Sequence, residues 1–126
     1  KLVNNSNENW SPVWSREFGG DVTGEKEDKI LAGKFALMLR DFNKVNKAYH
    51  EENGIPPAEY LAIGHSPQFW HGLNINSICG GKIWRCDVGM SRAFLDEQDA
   101  NNPDTLRSRK PMILEILNDT VINSIS

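Results

Sequence analysis

The chain has 126 residues, with 14 Lys and Arg against 17 Asp and Glu for a formal charge of −3. Its make-up, 39% apolar and 25% charged, is that of one globular domain and not of a disordered or fibrous chain. The acidic balance offers no broad basic surface, which sets nucleic acid aside as a partner, and no apolar run approaches the roughly 20 residues that a membrane span requires.

Residues 1–9, Lys-Leu-Val-Asn-Asn-Ser-Asn-Glu-Asn, are polar and Asn-rich and read as a linker or loop. The first residue is Lys1 with no signal-type segment behind it, so the chain is expected to be a piece of a longer polypeptide, residues 1–126 forming a single partial domain. Trp10, Trp14 and Phe18 surround Pro12 and are followed by Gly19-Gly20-Asp21, which reads as an ordered irregular segment. From Lys26 to Asn53 the pattern turns helical: Leu31, Phe35, Met38, Phe42, Val45 and Tyr49 recur at alternating spacings of four and three and fall on one stripe. Nothing polar interrupts that stripe, so its burial against a sheet is expected along the whole helix. Gly54 ends it as a left-handed cap, and Pro56-Pro57 prevents its resumption.

Tyr60–Ile63 is a predicted strand. Residues 75–79 and 82–88 flank Gly80-Gly81 as a hairpin, because a tight connection needs the positive φ that glycine adopts freely. Residues 96–111 form a polar loop, and Met112–Leu117 is the last predicted strand, with Ile113 and Leu117 on one face around Glu115. This strand is apolar at most positions and calls for cover on both faces. The coarse class is α/β in the α+β sense: one long helix and a mostly antiparallel sheet.

Cys79 and Cys86 both fall in predicted sheet. They read as two free thiols in a reducing compartment, so the localisation expected is intracellular and cytoplasmic. No basic helix terminus stands near either to lower a thiol pKa, which disfavours a cysteine nucleophile. The most informative stretch is Tyr60–Gly72. There a short apolar run stops at Gly64 and delivers His65 into a turn closed by Pro67, a placement suited to a metal ligand or a catalytic imidazole. His65 and His71 are six residues apart across a proline and cannot form the i, i+4 pair of a helical zinc site.

Ile63-Gly64-His65-Ser66-Pro67-Gln68, then Gly72, Gly80-Gly81-Lys82-Ile83 and Asp87-Val88-Gly89-Met90-Ser91, resemble the C-terminal half of a calcineurin-like metallophosphoesterase. More narrowly they resemble the bacterial-type, Shewanella-like branch of the serine/threonine phosphoprotein phosphatases; the likeness covers most of residues 10–118. It implies the second half of an αββα sandwich and a two-metal phosphatase acting on phosphate monoesters, phosphoproteins among them, through a metal-activated hydroxide. By that likeness His65 is a metal ligand, and Arg16, Ser91 and Arg92 are substrate-binding residues. His71 stands beside the site, and Asp87 is a structural position beneath it. The ions implied are two divalent metals, manganese, iron or zinc. The Asp-x-His, Gly-Asp-x-x-Asp-Arg and Gly-Asn-His-Asp elements of such enzymes are not in these 126 residues, so no catalytic residue is assigned here and the partner implied is the N-terminal half of the same domain. Without it the chain is expected to be inactive. The competing expectation is a phosphatase-like scaffold, a non-catalytic component of a larger assembly.

Overall fold

The computed structural model describes residues 17–89 and 111–126. Helix α1 (Glu25–Val45) begins where Thr23 donates from both its backbone N–H and its hydroxyl to Glu27 Oε2, at 2.9 and 3.0 Å. Glu25, Glu27 and Asp28 place negative charge in the first turn, opposite the positive end of the helix dipole. The helix ends at Asn46, whose backbone N–H and side-chain amide both donate to the Phe42 carbonyl, at 3.0 and 2.8 Å. Such side-chain competition for a backbone acceptor is why asparagine disfavours helix interiors. Helix α2 (Lys47–Asn53) resumes directly and stops at Gly54, which adopts φ 62°. The single helix expected over 26–53 is thus two, with the glycine cap at its expected place. Beyond the cap the chain turns back: Asn43 and Ala58 exchange two hydrogen bonds of 2.9 Å, fixing the proline segment against α1.

Three short strands follow, β1 (Leu61–Ile63), β2 (Asn76–Ile78) and β3 (Ile83–Arg85). They form one sheet in the order β1-β3-β2, with β3 central. β2 and β3 are the expected antiparallel hairpin, with Ile78 opposite Ile83 and Asn76 opposite Arg85. Their turn is wider than a Gly-Gly pair, because Cys79, Gly80 and Gly81 all take positive φ. β1 pairs with β3 in parallel, Leu61 with Ile83 and Ile63 with Arg85. The sheet is therefore mixed, and β1 ends beside the end of β3, where Cys86 N–H donates to Ile63 O at 2.8 Å.

Leu31 and Phe35 of α1 pack with Ile78, Cys79 and Ile83 in the core, with Phe18, Val22, Ala32, Leu39, Leu61 and Ile63 around them. Phe18 meets Phe35 edge to face at 6.1 Å, and Asp28 Oδ1 accepts from Cys79 N–H at 2.6 Å, tying α1 to the hairpin turn. The apolar stripe is buried only at this end. Phe42, Val45 and Tyr49 are 51%, 83% and 59% exposed, against the expectation of burial along its length. The cause is a mismatch of lengths: α1 spans roughly 30 Å, whereas three-residue strands span about 10 Å, so the sheet reaches only the first turns.

The expected strand at 112–117 is half of a second sheet. β4 (Ile113–Leu117) pairs antiparallel with β5 (Val121–Ile125), a strand that lies past the last one predicted, across a turn in which Asn118 and Asp119 adopt φ of 51° and 58°. Ile113, Ile116, Leu117, Val121 and Ile125 are exposed, so the two-sided cover expected of β4 is not present among the described residues. Among the described residues, two α-helices and five strands in two mostly antiparallel sheets make a mixed α+β domain. No helix among the described residues is long and apolar enough to cross a membrane.

Candidate functional site

The ladder of β1 stops at Ile63, and two residues later His65 takes φ 64°. A side chain at positive φ costs on the order of 1–3 kcal/mol, and such conformations concentrate where a group must be aimed. From this turn His65 and Ser66 face an open cleft of about 130 Å³, whose other walls are Gly19, Gly20, Pro67, Trp70 and His71. His71 ends a short 3₁₀ turn, Gln68–His71, that Gly72 closes at φ 69°. The six-residue spacing that rules out a helical pair thus brings both imidazoles to one cleft by folding the chain back on itself.

Beneath the cleft lies a chain of polar groups, with Gln68 and Arg85 buried and Asn76 half-buried between them. Gln68 is fully buried and its Nε2 donates twice, to Gly19 O at 3.1 Å and to Ser66 O at 2.7 Å. Its Oε1 accepts from Asn76 Nδ2 at 3.1 Å. Asn76 Oδ1 in turn accepts from Arg85 Nε at 2.6 Å, and Arg85 Nη1 donates to Gly20 O at 2.6 Å. Gln68 is also fixed through its backbone, whose N–H donates to Asp87 O at 2.8 Å. Asp87 Oδ1 accepts from Gly89 N–H at 3.1 Å, so its carboxylate closes a local turn. Buried polar groups gain from such mutual satisfaction and lose heavily if one partner goes.

Arg85 is 4% exposed. Burial pushes its guanidinium pKa down, and the charges of Asp21 and Asp28 push back, so the cation is held by carboxylates across a distance and by neutral acceptors in contact. Both cysteines are free and flank the strands, Cys79 after β2 and Cys86 after β3. Burial raises both thiols; Asp28 raises Cys79 further, and Arg85 draws it back. Neither is poised as a nucleophile.

The structure thus brings His65 and His71 to one cleft and puts Asp87 behind the turn that carries them. Arg16, Ser91 and Arg92 lie outside the described residues. No group of three His, Cys, Asp or Glu side chains among the described residues is arranged to hold a metal ion. Three residues beneath the cleft had no expected role: Gln68, read only as part of the Ile63–Gln68 motif, and Asn76 and Arg85. One signal was available: Arg85 stands two positions after Ile83 in a short strand and so points to the same buried face. Neither a family model nor a solved structure matches this chain.

Proposed function

We propose that this chain is the C-terminal part of a metal-dependent phosphoesterase domain of the αββα sandwich type, acting on phosphate monoesters, phosphoproteins among them. The observation that carries the proposal is His65, set at φ 64° two residues after β1 on the wall of an open cleft. A strand-end imidazole of this kind suits a ligand that shares its metal with donors from other loops. Ser66, on the same cleft, offers a hydroxyl suited to a small oxyanion.

The described residues do not complete a metal centre, since only His65 and His71 offer donors at the cleft. The proposal therefore assigns the remaining ligands to an N-terminal half of the same domain, and no reaction step through a metal is derived from this chain. The role left to this chain is to present one imidazole and to shape the wall against which the phosphate would rest. The test is hydrolysis of p-nitrophenyl phosphate with added manganese by a polypeptide carrying the complete domain. Wild-type protein is expected to turn over, and a His65→Ala variant to lose activity by orders of magnitude; equal activity in both sinks the role of His65.

A second reading, a non-catalytic scaffold, is favoured by the exposed apolar side chains Phe42, Val45 and Tyr49 on the helices and Ile113, Ile116 and Val121 on the hairpin. It predicts no hydrolysis by the complete domain with any of manganese, iron or zinc.

A further inference from the structure

We infer that Gln68 is a positioning residue that clamps the two walls of the cleft together and thereby fixes the direction of His65. The inference rests on the functional reading only for its consequence in activity; the clamp itself is structural. One wall is the turn that carries His65 and Ser66, and the other is the Gly19-Gly20 turn, some 46 residues earlier in the chain. The two N–H groups of a single amide join them, one to Gly19 O and one to Ser66 O. That amide cannot rotate without losing Asn76, which holds its oxygen, and Asn76 cannot rotate without losing Arg85. Arg85 returns to the Gly19-Gly20 wall at Gly20 O, so the hydrogen-bonded circuit, with Gln68 and Arg85 buried in it, closes on that turn. A glycine pair has no side chains with which to anchor itself, so both of its carbonyls are held by donors from elsewhere.

Gln68→Met keeps the length and the buried volume of the side chain but removes both donors. The Gly19 and Ser66 carbonyls lose their shared partner, and His65 keeps its place in sequence but not its fixed aim. Displacing a reacting group by about 1 Å can cost roughly 100-fold in rate.

The test uses the full chain labelled with ¹³C and ¹⁵N, reading the imidazole Cε1–Hε1 signals of His65, His71 and His50 and the amides of Gly19, Gly20 and Ser66. Gln68→Met is expected to shift or split the signals of His65, Gly19, Gly20 and Ser66 while His50, on α2, stays at its wild-type position. A folded Gln68→Met protein with His65 and Gly20 unmoved overturns the inference. Should that variant not fold, Asn76→Asp replaces it: the aspartate keeps the acceptor for Arg85 Nε and loses the amide donor to Gln68 Oε1 and to Asn74 O. The same four signals are expected to move, and their constancy is equally fatal. In the complete domain, Gln68→Met is expected to lower kcat for p-nitrophenyl phosphate by about 10- to 100-fold. A wild-type domain without phosphatase activity defeats the functional reading alone, because the resonances still report the clamp.

Discussion

Gly89 is the position where a single methyl group tests the packing behind the cleft. It adopts φ 58°, and a Cβ built there stands 2.2 and 2.3 Å from Cε1 and Cδ1 of Phe69, inside any real contact distance. Two costs add in Gly89→Ala. The left-handed backbone costs an L-residue roughly 1–2 kcal/mol. Forcing a methyl group into a filled space costs typically about 1–3 kcal/mol, here by pushing the Phe69 ring out of the turn that bears His71. The sum is about 2–5 kcal/mol, a large share of the roughly 5–15 kcal/mol that holds a domain of this size together. Gly33 supplies the internal control. It sits mid-helix in α1 with nothing within 4 Å of a built Cβ, so Gly33→Ala is expected to stabilise by about 0.5–1 kcal/mol. The assay is urea unfolding followed by tryptophan fluorescence, in which the two substitutions should move the midpoint in opposite directions. A Gly89→Ala protein within about 0.5 kcal/mol of wild type would refute both the left-handed turn and the Phe69 contact.

Two further outcomes concern titration. Burial raises both thiols, so at pH 8 native Cys79 and Cys86 are expected to react with a disulfide reagent at least about tenfold more slowly than in urea, where exposure restores the ordinary thiolate fraction. Because the folded thiols hold their protons more tightly than unfolded ones, this contribution to stability is fully present below about pH 8.5 and is lost as pH rises through the folded pKa values. A thermal melt that does not fall between pH 8 and 10 contradicts the burial. Glu27 is shifted the other way: hydrogen bonds from the Thr23 backbone and then from its hydroxyl hold the carboxylate below its usual range. Glu27→Gln should therefore lower the melting temperature at pH 7 and make no difference at acid pH, once the wild-type carboxylate is protonated. Circular dichroism at the two pH values checks the sign, and a gap that widens in acid would be the wrong one.

How much of this was legible in the sequence divides along physical lines. Local signals were readable. Gly54 after a helical stripe, Gly80-Gly81 between apolar runs, and the apolar run ending at Gly64 each correspond to a real cap, turn or strand end. What depended on partners was not. The stripe from Leu31 to Tyr49 looks uniform, but its burial is set by how far three short strands reach, which periodicity along the helix does not encode. The break at Asn46 had a signal in an asparagine able to compete for the Phe42 carbonyl, and β5 had one in Asn118-Asp119, a pair that tolerates left-handed φ between two apolar segments. The parallel pairing of β1 with β3 had none, since nothing in either three-residue segment specifies direction. At the site, His65 stood out because it is a histidine after a strand. Gln68 did not, because a glutamine in a turn is ordinarily solvated, and only the folded chain brings Gly19 and Asn76 to it.

The central claim is that His65 is a ligand in a phosphatase site and that His71 only borders it. The direct measurement is kcat/KM for p-nitrophenyl phosphate with manganese, taken on the complete domain as wild type, His65→Ala and His71→Ala. The account predicts a loss of at least about 100-fold for His65→Ala, or roughly 2.7 kcal/mol of transition-state stabilisation, and about tenfold or less for His71→Ala. Full activity in His65→Ala would contradict it, as would an active-site loss that falls on His71 instead.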